Sequence, residues 1–100
     1  MSPVIKLKKI IELALKCTFK GNHIFYSYSG HINELDVRIY EGEWKVQKDA
    51  LTVCIDLNGT RIMHRKLNTV VKILEYMLEN NTFHPMFVRK TSKREFILIE

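Results

Sequence analysis

Two stretches decide the fold: Leu35-Asp36-Val37-Arg38-Ile39 and Leu51-Thr52-Val53-Cys54-Ile55-Asp56-Leu57. Each alternates apolar with polar residues. Successive side chains on a strand point to opposite faces, so both stretches describe strands with one oily and one wet face, the signature of an antiparallel sheet covered on one side.

Working outward, residues 22–29 (NHIFYSYS) read as a preceding strand, and Ser29-Gly30-His31 as a turn. The next strand runs from Asn33 to Tyr40, until Glu41, Gly42 and Glu43 break it. Residues 44–49 are either a loop or a short added strand, and the third strand is Leu51 to Leu57. The middle of the chain is therefore a three-stranded meander.

Helical periodicity flanks it. Ser2 before Pro3 reads as a cap with proline in the first helical position, opening a helix that runs to about Lys20 and stops at Gly21. At 100° per residue, Val4, Leu7, Ile10, Ile11, Ala14, Leu15 and Thr18 gather on one side, expected to face the core. Lys6, Lys9, Lys16 and Lys20 form a stripe on the other side, with Leu13 among them. Beyond the meander, Asn58-Gly59 is a hairpin signal, but Met63, Leu67, Val70, Leu74 and Met77 recur at helical steps of four and three. A second helix is expected from about Thr60 to Asn80, with a start as late as Asn68 as the alternative. After Pro85, residues 87–90 and 95–99 form a final hairpin or one edge strand.

The chain has 100 residues, 46% apolar and 27% charged, enough for one domain that hides roughly two-thirds of its unfolded surface. Lysines interrupt the N-terminal apolar residues, so no run approaches the ~18 residues that span a bilayer. No signal-peptide pattern is present. Cys17 and Cys54 are far from each other and from the four histidines, so no short metal-ligand pair exists, and both are expected to be free thiols in a cytoplasmic setting. No cofactor or metal is indicated.

The net charge of +5 is unevenly spread. Residues 1–20 carry five lysines against one acid, residues 21–60 three bases against six acids, and residues 61–100 eight bases against four acids. Candidate contacts to a phosphate backbone are Lys6, Lys9, Lys16 and Lys20 on the first helix, Arg61 and Arg65 with Lys66 on the second, and Arg89, Lys90, Lys93 and Arg94 beyond it. Solvation of helix faces accounts for the same lysines.

On the wet face of the sheet, Asp36, Arg38, Tyr40, Thr52 and Asp56 are candidates for contact with a partner. The rings of Phe25, Tyr26, Tyr28 and Tyr40 invite comparison with sheets that stack single-stranded bases. No basic, glycine-bearing aromatic motif accompanies them, and most are expected to serve in packing. His23, His31, His64 and His84 could nominate a general base, yet no nucleophile elbow or paired-carboxylate motif stands with them, and no enzyme is expected.

Residues 26–44 (YSYSGHINELDVRIYEGEW) resemble a segment of small proteins encoded by bacterial prophages and plasmids, in which a tyrosine-serine-glycine-histidine turn precedes a strand and a glycine/tryptophan corner. The resemblance implies a mobile-element accessory protein and assigns no functional residue. Trp44 is expected to cover the sheet edge.

The expected fold is a single two-layer α+β domain over residues 1–100, in the order α-β-β-β-α-β(-β), with an antiparallel sheet of three to five strands and two helices packed on one face. The expected function is non-enzymatic binding of a protein partner, a second copy included, through the polar sheet face or the strand edges. Weak nucleic-acid binding through the basic helix faces and the C-terminal basic segment is the alternative, and no membrane partner is expected.

Overall fold

The alternation of the two deciding stretches is visible as burial: Leu35, Val37 and Ile39 on one strand, and Leu51, Val53 and Ile55 on the next, are buried, while Arg38, Thr52, Cys54 and Asp56 between them are exposed. The computed structural model describes residues 3–42, 50–58, 61–90 and 96–98. Its elements are α1 (Pro3–Phe19), β1 (His23–Ser29), β2 (Glu34–Tyr40), β3 (Leu51–Asp56), α2 (Arg61–Asn80), β4 (Val88–Lys90) and β5 (Phe96–Leu98). Ser2, residues 43–49 with Trp44, Gly59, Thr60, Lys93 and Arg94 lie outside the described residues, as do the capping and edge-covering roles expected of Ser2, Thr60 and Trp44.

The strands form one sheet in the order β1-β2-β3-β5-β4. The antiparallel meander is as expected: Val37 stands opposite both Tyr26 and Val53, and Leu35 opposite Tyr28 and Ile55. The expectation of a wholly antiparallel sheet is corrected at one junction, where β3 and β5 run parallel with Leu51 opposite Phe96. A hairpin forces its strands antiparallel. β5 instead reaches β3 after a long return through α2 and β4, and a crossover of that length permits a parallel neighbour.

One apolar cluster joins Ile10, Leu13 and Cys17 of α1, the buried residues of β2 and β3, and Met63, Leu67, Val70, Ile73, Leu74 and Met77 of α2. The α2 seam is the one read from periodicity, and α2 begins at Arg61, which overturns both the hairpin at Asn58-Gly59 and the start at Asn68.

The buried face of α1 differs from expectation. Ile10, Leu13, Ala14 and Cys17 are buried, whereas Val4, Ile11 and Leu15 are exposed. α2 packs on the side carrying Leu13 and Cys17: the Cys17 thiol donates to the Leu74 carbonyl at 3.4 Å, Lys20 Nζ donates to the Leu78 carbonyl at 2.8 Å, and Lys6 Nζ lies 3.1 Å from His64 Nδ1. A helix with apolar residues on nearly every side does not itself state which side its neighbour takes.

The joints are built from local chemistry. The Asn22 amide donates to the Cys17 carbonyl and the Gly21 amide to the Thr18 carbonyl, a Schellman closure that needs the left-handed φ of 101° at Gly21. Asn22 is buried, and its side chain accepts from the Gly42 amide at 2.8 Å and donates to Asn81 Oδ1 at 3.2 Å, tying the start of β1 to the end of β2 and the end of α2. At the opposite end of β1, Asn33 accepts from the Tyr28 hydroxyl at 2.7 Å and donates to the Leu57 carbonyl at 3.2 Å. Both ends of β1 are therefore fixed. No helix of the described residues is long and apolar enough to cross a membrane.

Candidate functional site

β1 is the outermost strand on its side of the sheet, and among the described residues β2 is its one strand neighbour. The His23 amide donates to the Gly42 carbonyl, so His23 turns its backbone groups toward β2. Backbone direction alternates along a strand. Ile24, Tyr26 and Tyr28 therefore present their N–H and C=O groups on the open side.

The side chains of β1 are more exposed than expected. Phe25, Tyr26 and Tyr28 are 49%, 45% and 58% exposed. They were expected mainly to pack, but an edge strand has a neighbour on one side only, which leaves half of each ring's surroundings open. Register puts Ile24, Tyr26 and Tyr28 on the inner face with Ile39, Val37 and Leu35, and Phe25, Ser27 and Ser29 on the outer face with Arg38, Asp36 and Glu34.

Each face of β1 borders a groove. On the inner side a groove of about 510 Å³ runs between Leu7 and Ile11 of α1 and Tyr26 and Tyr28, with Leu35 and Leu57 also lining it. On the outer side a second groove of about 550 Å³ is lined by Phe25, Ser27, Asp36, Arg38, Thr52 and Cys54. Tyr26 and Ser27 line both. The inner groove is apolar, the outer one mixes a ring with charges of both signs and hydroxyls, and the open backbone groups lie between them.

Among the residues nominated for the sheet face, Arg38 stands between Phe25 and Thr52, and Asp36 between Ser27 and Cys54. Asp56 lies one pair further along, opposite Glu34, and accepts from the Asn58 amide at 3.1 Å, which engages it in closing the β3 end. Tyr40 is corrected: it is 7% exposed, with Phe25 edge-on to its ring at 5.9 Å between centroids, and is not presented to a partner.

The register also creates a cluster that sequence reading missed. Glu34, Asp36 and Cys54 each place one potential ligand atom within 4.8 Å of the others, a trio that could hold a divalent cation. It was legible only once Asp36 was known to face Cys54. Asp36 Oδ1 is buried without a hydrogen-bond partner. Asp36 pushes the Cys54 thiol above its ordinary pKa, first as acceptor for the protonated thiol; burial adds to this, and the charges of Asp36 and Glu34 follow. The Cys17 thiol is pushed up by burial. Both cysteines are free.

The basic residues do not form the single stripe expected of α1. Lys6 and Lys20 turn to α2, while Lys16 pairs with Glu12 at 3.0 Å. That pair, with Lys9 nearby, holds the Glu12 carboxyl below its usual range. Arg61 and Arg65 are exposed on α2, and Lys66 donates to the Cys54 carbonyl at 3.3 Å. Lys72 sits 5.7 Å over the Phe87 ring and Lys90 5.3 Å over that of Phe96, while Arg89 is exposed on β4. Asn68 is shared by two shallow basic grooves, one lined by Lys6, Lys8 and Lys9 and the other by Arg65, Lys66 and Lys72.

No protein-family model, curated protein or solved structure matches the chain, so β1 and the surfaces beside it are what speak to its function.

Proposed function

We propose that this chain is a non-enzymatic protein-binding module that accepts a strand of its partner along the open edge of β1, with both helices forming the second layer over the inner face of the sheet. The observation that carries the reading is that Tyr26 and Ser27 line grooves on both faces of the same edge strand. A strand added there satisfies the outward backbone groups of Ile24, Tyr26 and Tyr28, and its alternate side chains enter the two grooves in turn. The preferred strand carries apolar residues for the groove of Leu7, Ile11 and Leu35, interleaved with polar ones for the side of Asp36 and Arg38. An accessory role of the mobile-element kind, which residues 26–44 resemble, and a cytoplasmic setting that keeps the exposed Cys54 reduced are consistent with this reading.

Selection from a displayed peptide library tests it. Enriched peptides should alternate apolar and polar residues, and Tyr26→Lys should lose them without loss of helicity. Helix-forming or patternless peptides, or binding indifferent to Tyr26→Lys, would refute the reading.

Weak nucleic-acid binding is the second reading, favoured by the two basic grooves that meet at Asn68. Phosphate contacts weaken steeply with salt, whereas strand addition does not. Retention of a labelled oligonucleotide measured across salt concentrations separates the two.

A further inference from the structure

Resting on the strand-binding reading, we infer that the strand taken by β1 is β1 of a second copy, paired antiparallel about a two-fold axis at Tyr26. The two outer strands of the sheet are built differently. β4 is three residues long and carries Arg89 and Lys90, the short and charged form that keeps an edge from pairing. β1 is seven residues long, pairs with β2 in unbroken register, and contains neither a proline nor a lysine, arginine or carboxylate. Among the described residues, one edge is guarded and the other is not.

The sequence of β1 is complementary to itself. Residues directly opposite in an antiparallel pair share a face, and full overlap of His23–Ser29 with its copy centres on Tyr26. Tyr26 then meets Tyr26 of the second copy, Ile24 meets Tyr28, Phe25 meets Ser27 and His23 meets Ser29. On the outer face the large ring of Phe25 lies across from the small Ser27. On the inner face a β-branched residue lies across from an aromatic one, a favourable cross-strand pair. The outward backbone groups of Ile24, Tyr26 and Tyr28 are the ones this register joins. No lysine, arginine or carboxylate on the paired strands faces its own kind, although the whole chain carries a net charge of +5.

The side of the molecule that carries β1 has room for such a contact. β1 runs about 24 Å at ~3.4 Å per residue. With the shortest molecular extent of 25 Å, this bounds the shared face at about 600 Å² of each copy, the size at which stable interfaces begin. Val4 and Ile11 of α1 line the inner groove, where a second copy would draw their exposed side chains from water.

Sedimentation equilibrium from micromolar to near-millimolar concentration tests the inference on the full chain. The expected result is a mass twice that of one chain, reverting to one chain in Tyr26→Lys with the circular dichroism unchanged. Should Tyr26→Lys fail to fold, a covalent test decides. Opposed Cα atoms in a hydrogen-bonded pair lie about 5.5 Å apart, within the ~4.4–6.8 Å range of disulfides. Tyr26→Cys in a Cys54→Ser background should therefore cross-link under mild oxidation, while Arg89→Cys in that background should not. A dimer that persists in Tyr26→Lys, or no cross-link through Tyr26→Cys, overturns the inference. So does a chain that stays monomeric throughout; if that monomer still holds selected peptides at β1, strand binding stands and only the second copy falls.

Discussion

Tyr26 and Val37 stand directly opposite each other on β1 and β2, yet Val37 is wholly buried and Tyr26 is 45% exposed. One step across the sheet carries the inner face from core to surface. The ring at Tyr26 lies beside backbone groups directed away from β2, and that juxtaposition makes β1 a surface for recognition.

The corrected face of α1 gives a stability test. Leu13 is buried and Leu15 is 52% exposed. Leu13→Ala should cost about 2–5 kcal/mol in urea denaturation, and Leu15→Ala should stay within about 0.5 kcal/mol of the parent. The reverse order would restore the face read from the sequence.

Leu74 on α2 is fully buried in the common cluster. Leu74→Ala should also cost about 2–5 kcal/mol. Lys72→Ala, which removes an exposed side chain whose ammonium lies 5.7 Å over the Phe87 ring, should shift stability by less than about 1 kcal/mol. Equal losses from the two variants would contradict the assignment of the seam.

Asn22 joins Gly42 and Asn81 from a buried position. Asn22→Ala leaves the Gly42 amide without its acceptor, and thermal unfolding should show a loss of about 1–3 kcal/mol. An unchanged melting temperature would mean that the node contributes nothing.

Both thiols are raised above their ordinary pKa of 9.0. The folded chain therefore holds these protons more tightly than the unfolded one. Their contribution to stability is complete below about pH 9 and is lost as pH rises through the folded values. For Cys54, the alkylation rate should reach half its plateau above pH 9.0, and Asp36→Asn should move that midpoint down. A midpoint unmoved by Asp36→Asn would remove Asp36 as the cause.

The meander and the α2 seam were legible because period-two and helical spacing each commit a whole element to one face, as Leu35 to Ile39 and Met63 to Met77 do. The buried side of α1 was not, since Val4, Ile11 and Leu15 are as apolar as Ile10, Leu13 and Cys17, and only the position of α2 separates them. The parallel neighbour of β3 was hidden for a related reason: Phe96 and Leu51 carry no mark of their pairing. Of the candidate site, the outward residues Asp36, Arg38 and Thr52 followed from alternation. The open edge at Tyr26 did not, because exposure of a strand depends on its place in the sheet and not on its own residues.

Amide hydrogen exchange resolved by residue tests most directly whether β1 receives a strand. The amides of Ile24, Tyr26 and Tyr28 should exchange freely in dilute protein and become protected together as concentration rises or a selected peptide is added, while those of β2 stay protected throughout. Free exchange of those three amides under every condition would contradict the account.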